Sequence, residues 1–370
     1  MRRLRRSVVI GLIALLVSVP AVPLASLCLS RRLQYHVYQE LSFHVIARNV
    51  LSEARTPEAI VQAAMDYLNR HLWIFHGSSP YAGKAFDYLI EGVGWCDYYA
   101  KVFCELMAAK GLHARYAFLK DRSGSLPHTV AEVYIGGRWR VVDPFFNFRY
   151  TTTTGQWVGL EDVTPELFES FEAVQLFKTT NPVAFENVTE IAHQTYPLPM
   201  PPQRSDDFLK DKNPFDMEVG LCVKLFGTAF ANWYQDRFLE RRLATVEDPI
   251  ERLWYAARNY QLYWRLAKAE QLYRQLLNLD ATERYRERTT LFLARLLIKQ
   301  ERFEEGTALL EAYLREHPDK PWARYHLGLC YEGVGQAADA IAQYREYQQL
   351  RGRKFAIDAT RRLRGLGAVI

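Results

Sequence analysis

The sequence predicts an α+β domain joined to an all-α region of helical repeats, with a membrane helix ahead of both. Three observations carry this prediction. An uncharged apolar run fills residues 7–29. A helix followed by three strands is readable over 95–150. Small and large residues recur in register along the last third of the chain. The corresponding segments are 1–32 (membrane anchor or signal segment), 33–175 (α+β domain), 176–249 (linker or extended arm with a helical segment) and 250–370 (helical repeats).

The first segment is read from charge and length. About 23 apolar residues suffice to cross a bilayer as a tilted helix. Arg2, Arg3, Arg5 and Arg6 precede the run, and Arg31 and Arg32 follow it. The positive-inside rule then leaves the N-terminus in the cytoplasm and the bulk of the chain extracytoplasmic. The alternative is secretion after signal cleavage near the small residues Ala25 and Ser26. Those six arginines exceed the net charge of +5, so the remaining residues sum to 5 − 6 = −1. No basic groove for nucleic acid follows from that balance. Val219 to Ala231 is apolar but short and contains Lys224, which reads as a buried or interfacial helix.

The α+β segment opens on helices. Apolar residues fall at helical spacing over 33–75, and Thr56-Pro57-Glu58 has the form of a capped helix start. Gly77-Ser78-Ser79-Pro80 marks a loop, and the proline-rich stretch from Tyr196 to Pro202 marks a linker. In the last segment Leu327, Gly328, Tyr331, Ala340 and Tyr344 stand 34 residues after Leu293, Ala294, Leu297, Gly306 and Leu310. Ala256, Ala257, Tyr260, Ala269 and Tyr273 stand 37 residues before that second set. Small residues where helices approach and large ones where they interlock define a helix-turn-helix repeat, with a final capping helix in Ala359 to Ile370.

Five cysteines, scattered and odd in number, do not form a disulfide framework, and there is neither a CxxC pair nor an HExxH motif to hold zinc. No cofactor is called for. One cysteine is placed differently from the rest. Cys96, Ala100, Phe103 and Met107 share one helical stripe, which puts Cys96 in the first turn, behind Gly94 and Trp95. A thiol there feels the positive end of the helix dipole, which favours thiolate, and the free N–H groups of that turn are suited to an oxyanion. Downstream, His128 to Ile135 alternates, Gly136-Gly137 is a two-residue hairpin turn, and Arg138 to Asp143 returns. Pairing about that turn sets Ile135 opposite Arg138, Tyr134 opposite Trp139 and Val130 opposite Asp143. His128 and Asp143 are then diagonal neighbours on one face, about 7–8 Å apart along the backbone. An aspartate that holds one imidazole nitrogen orients the other toward a nucleophile.

The run from Gly94 to Arg115 resembles the nucleophile region of the transglutaminase-like superfamily, a papain-like fold. The run from His128 to Pro144 resembles its histidine and aspartate strands. The match covers about 70–150, and the repeats resemble tetratricopeptide repeats. The resemblance implies Cys96 as nucleophile, His128 as general base and acid, and Asp143 as orienting acid. Trp95, Glu132 and the Gly137-Arg138-Trp139 triplet also fit the family. Thr129-Val130 departs from the small-plus-aromatic pair usual after the histidine. The family's oxyanion side chain falls upstream, where Trp73 and Tyr81 both stand. The function implied is an exported, membrane-anchored cysteine acyl transferase or hydrolase acting on amide bonds of a protein or peptide substrate, with the repeats binding a partner. Calcium-binding signatures are absent. The alternative is a non-catalytic scaffold for assembly of an envelope complex.

Overall fold

Capping residues written in the sequence start the first helices. The computed structural model describes residues 21–26, 28, 30–72, 84–92, 94–120, 128–152, 154–171, 202–279, 283–351 and 357–368. After a short helix α1 (Ala21–Ser26), the Ser30 hydroxyl accepts from the Leu33 amide and opens α2 (Arg31–Val50). Thr56 caps the Ala59 amide with Pro57 in the first turn, so α3 (Pro57–His71) begins where the sequence predicts. Helix α4 (Ala85–Glu91) stops at Gly92, whose left-handed φ of 70° ends it, and α5 (Cys96–Ala109) follows.

A five-stranded antiparallel sheet comes next, from β1 (Ala114–Leu119), β2 (His128–Ile135), β3 (Arg138–Asp143), β4 (Phe148–Arg149) and β5 (Gln203–Arg204), in the order β4-β3-β2-β1-β5. Gly136 and Gly137 take φ of 60° and 78°, the backbone of a primed hairpin turn. Tyr134 lies opposite Trp139 and Ile135 opposite Arg138, the register expected from that turn. Both faces of the sheet are buried. Ala131, Val133 and Val142 join the core that α5 lines, while Val130 and Val141 pack with Phe148, Tyr150 and Leu160 beside α6 (Pro165–Ser170). The β5 edge is fastened by charge. The fully buried Glu132 accepts from Arg115 Nε at 2.9 Å and from Arg204 Nε at 2.6 Å.

Helix α7 (Pro214–Leu243) starts at an Asn213–Asp216 capping box and breaks at Gly227 (φ 65°, ψ −155°). Within its apolar Val219–Ala231 stretch one side is buried, at Val219, Cys222, Val223 and Ala231, while Lys224 and Leu225 face solvent. The repeats then run as α8 (Pro249–Leu262), α9 (Leu266–Leu277), α10 (Glu283–Lys299), α11 (Phe303–Glu316), α12 (Pro321–Gly333), α13 (Ala337–Arg351) and α14 (Ile357–Gly365). The small residues singled out in the sequence sit at helix contacts. A Cβ on Gly306 would lie 2.8 Å from Cys330 Sγ, and one on Gly328 would lie 2.6 Å from Tyr344 Cε1. The sheet side and the repeats share one hydrophobic core, which runs from Val37 and Leu41 through Phe103 and Met107 to Trp254, Tyr260 and Phe292. Tyr38, with no exposed surface, is its pivot. It stacks on Phe238 at 4.3 Å and on Tyr263 at 5.5 Å, meets Phe86 edge-on, and donates to Asn259 Oδ1 at 2.5 Å.

One expectation is corrected here. Among the described residues no helix is long and apolar enough to cross a membrane, so the anchor over 7–29, the orientation built on it and the secretion alternative are not supported. Residues 7–20 lie outside the described residues. The described end of that run is only the six-residue α1, and it packs on protein. Buried Ser26 meets the Tyr234 hydroxyl at 2.7 Å and donates to the Pro23 carbonyl at 2.5 Å.

Gly92 joins the two sides. A Cβ there would lie 2.1 Å from Phe292 Cζ on α10, at a φ that side chains rarely adopt. Gly92→Ala is expected to destabilise the protein by about 2–4 kcal/mol through backbone strain and overpacking. Urea denaturation checks this; an unchanged unfolding midpoint would show that the contact is slack.

Candidate active site

Gly94 gives the chain its close entry to α5, since a Cβ there would press to 3.1 Å on Tyr98 Cβ. Trp95 is extended at the helix N-cap, and its carbonyl accepts from the amides of Tyr98 (3.0 Å) and Tyr99 (3.1 Å). The amides of Cys96 and Asp97 precede the intrahelical ladder and point out of its positive end. Behind them Ala100, Phe103 and Met107 have no exposed surface, and Cys96 is half-buried at the tip of that stripe.

The structure brings His128 and Asp143 together across the hairpin. His128 Nε2 lies 2.5 Å from Asp143 Oδ2, and Asp143 is 1% exposed. The other carboxylate oxygen accepts the amides of Phe145 and Phe146, each at 3.0 Å. The loop after Asp143 is tied down in turn. Asn69 Nδ2 donates to the Pro144 carbonyl at 2.7 Å, and Asn147, with a left-handed φ of 56°, joins Gln62 and Asp66. From the far end of the chain, Arg361 on α14 donates to the Asn147 carbonyl.

His128 also meets Cys96. With Nε2 engaged by Asp143, Nδ1 is the nitrogen left for the thiol. Burial pushes the Cys96 thiol up, but the hydrogen bond and charge of His128, with further hydrogen bonds from the backbone and side chain of Thr129, bring it below its usual value. Burial pulls His128 down, yet the Asp143 charge and hydrogen bond, and then Cys96, hold it at about 10. Both shifts act in the sense that favours a thiolate–imidazolium pair. Cys104, about two turns further along α5 and buried in the core, is pushed well above the usual thiol range by burial.

Thr129 is the residue the sequence reading undervalued. It is the position next to the histidine that departs from the family pattern, and that departure was its only signal. Among the described residues, few aromatic rings border the site. Phe145 and Phe146 flank the His128 ring, at 6.0 and 5.3 Å, and Trp95 is 41% exposed at the helix start. Tyr98 instead stacks on Tyr88, and Phe148 belongs to the core on the far side of the sheet. Trp73 and Tyr81 lie outside the described residues. Glu132 is a clamp for two arginines and does not join this cluster.

The ligand atoms of His36, Glu40 and Asp216 are close enough together to hold a metal. They are already engaged. His36 Nε2 is 2.5 Å from Asp216 Oδ1, and the Lys212 ammonium supplies positive charge at 2.6 Å from Glu40 and 2.8 Å from Glu105. An ion-pair network accounts for the group.

Comparison with known families gives two matches. Residues 45–144, which run from α2 through Asp143, match the family model of the transglutaminase-like superfamily. Residues 288–370 match the model of the bacterial transcriptional activator domain, a helical domain like the tetratricopeptide repeats. Two solved structures of MamA are similar to the chain. One, an ArsTM double mutant from RS-1, shares 18% identity over 40% of this chain and 89% of its own, with a TM-score of 0.29. The other, residues 41 to the end from Desulfovibrio magneticus RS-1, shares 15% over 40% and 88%, with a TM-score of 0.28. Scores this low establish no common architecture, and the repeats rest on their own spacing and packing. No curated protein matches the chain.

The charged pair has a measurable signature. Iodoacetamide should alkylate Cys96 with a midpoint below the ordinary thiol value of about 8.5, while Cys104 stays inert in the folded protein. Asp143→Asn keeps the two backbone hydrogen bonds but removes the charge that holds His128 up. The imidazolium that lowers Cys96 is then lost, and the midpoint should move up by about one pH unit or more. An unmoved midpoint would disconnect Asp143 from the thiol.

Proposed function

We propose that the chain is a cysteine acyl-transfer enzyme acting on amide or peptide bonds, with Cys96, His128 and Asp143 in the roles of nucleophile, general acid–base and orienting carboxylate. The observation that carries this reading is the buried Asp143–His128 hydrogen bond, which leaves the second imidazole nitrogen for a thiol at a helix N-terminus.

The steps follow from the geometry. The Cys96 thiolate adds to the amide carbonyl carbon, and the new oxyanion meets the free amides at the start of α5. The tetrahedral intermediate collapses, the C–N bond breaks, and the His128 imidazolium gives its proton to the departing amine. A thioester on Cys96 and a neutral imidazole remain. Water or a second amine then adds to the thioester while His128 takes its proton. Expulsion of the Cys96 thiolate releases a carboxylic acid or a new amide and restores the charged pair. Asp143 fixes the tautomer and tilt of the ring. The residues required are all protein side chains and backbone, so no cofactor enters. The partner proposed for this site is a protein or peptide substrate, and for the helical repeats a protein, because stacked helix pairs present extended surfaces.

The test is to trap the acyl-enzyme. Incubation with a library of peptide amides, acid quench and mass spectrometry should find an adduct on Cys96. Cys96→Ala should remove it and lower turnover by at least about a thousandfold, and His128→Ala should do nearly the same. A folded protein that shows neither adduct nor Cys96-dependent turnover would leave the non-catalytic scaffold as the function.

A further inference from the structure

A second site lies away from Cys96, where α3 meets the repeats. A cavity of about 410 Å³ opens there, lined from α3 by Tyr67 and Arg70, from the turn before α9 by Trp264, and from α10 by Arg295 and Lys299. Its size is that of a small-ligand site.

The polar atoms in its wall are unmatched in one sense. Arg295 is 8% exposed, and no carboxylate among the described residues pairs with it. Its Nη1 donates to the His71 carbonyl at 3.1 Å and its Nε to His326 Nε2 at 3.1 Å, but its Nη2 has no partner among the described residues. Tyr67, 2% exposed, likewise has a hydroxyl without a partner. The two histidines do not offset the guanidinium. His326 places Nδ1 at 2.6 Å from the Trp322 carbonyl, which leaves Nε2 as a neutral acceptor, and His71 Nδ1 lies 2.9 Å from the Tyr67 carbonyl. Burial and Arg295 keep both rings below the usual histidine range. At the rim stand Arg70 and Lys299, against the single acid Glu53. Lys299 lies over the Trp264 ring at 4.3 Å, and Tyr67 is stacked between His71 and Trp264.

A buried guanidinium without a counter-charge is costly, and so is a buried hydroxyl without an acceptor. Both costs are relieved by one kind of guest, an oxyanion that accepts from Arg295 and Tyr67 together. We propose that this cavity binds a small organic anion bearing a carboxylate or phosphate group, held by Arg295 and Tyr67 and drawn in by Arg70 and Lys299. The cavity exceeds a bare phosphate, and Leu266, Ile298 and Leu329 in its lining give the remainder of the ligand an apolar wall. This inference does not rest on the chemistry of Cys96, so Cys96→Ala should bind the anion like the parent.

Isothermal titration calorimetry of the full chain tests it, with inorganic phosphate, phenyl phosphate and succinate as probes at constant ionic strength. At least one should bind saturably, one per chain. Tighter binding of phenyl phosphate assigns a phosphate ligand, and tighter binding of succinate assigns a carboxylate. Tyr67→Phe removes only the unpartnered hydroxyl and should weaken binding roughly threefold to tenfold. Arg295→Gln should abolish it. Because Arg295 also holds the His71 carbonyl, Tyr67→Phe is the variant that decides if Arg295→Gln unfolds. Absence of saturable binding for all three probes, or binding that Tyr67→Phe leaves unchanged, overturns the proposal.

Discussion

Asp143 carries its carboxylate in the interior, and the site is built around keeping it there. A buried carboxylate needs donors on both oxygens. One oxygen takes the His128 ring and the other takes two successive backbone amides. Those amides are available only because Pro144 ends the strand and the chain turns at once. That turn puts Asn147 in a left-handed backbone, which asparagine tolerates better than most residues. Its side chain reaches back to α3 and its carbonyl is taken by Arg361. The need to solvate one charge without water thus fixes a strand end, a loop and the place of the last helix.

The electrostatics at Cys96 depend on the same carboxylate. A buried thiol with no cation beside it is pushed up by desolvation, as Cys104 and Cys330 are. Cys96 goes the other way because His128 is kept cationic, and His128 is kept cationic because Asp143 faces it. The helix end adds in the same sense, but by the smaller amount typical of a dipole. A chain of two hydrogen bonds therefore separates this cysteine from the structural ones.

Much of this was legible in the sequence, for identifiable reasons. Thr56-Pro57 and Gly136-Gly137 act locally, so their structures follow from their own chemistry. The hairpin register then follows from its turn, and with it the meeting of His128 and Asp143. The repeat spacing is visible because Gly306 and Gly328 have no room for a Cβ. What was not legible depends on partners distant in sequence. Strand β5 is two residues long and has no alternation to read; Glu132 fastens it from across the sheet. Helix α2 is buried nearly all round, so it carries no polar stripe to mark its neighbours. Thr129 touches Cys96 only through the fold. The N-terminal apolar run had the length and flanking charge of an anchor, and its described end is instead a six-residue helix held by Tyr234.

The repeats are bound into the site physically, which bears on how the two parts of the chain work together. The last carbonyls of α3 have no helical partner. The carbonyl of His71 is taken by Arg295, from the repeats, and that of Leu72 by the Tyr99 hydroxyl at 2.8 Å, from the Cys96 helix. Two neighbouring peptide groups thus receive one donor from each side. Removing the repeats would strip Arg295 from α3, Arg361 from the Asn147 carbonyl, and Trp254 and Phe292 from the common core. A truncation meant to separate partner binding from chemistry would therefore damage both. Single substitutions on the solvent faces of α11 or α13 leave these bonds intact, and they are the changes that distinguish a binding surface from a structural support.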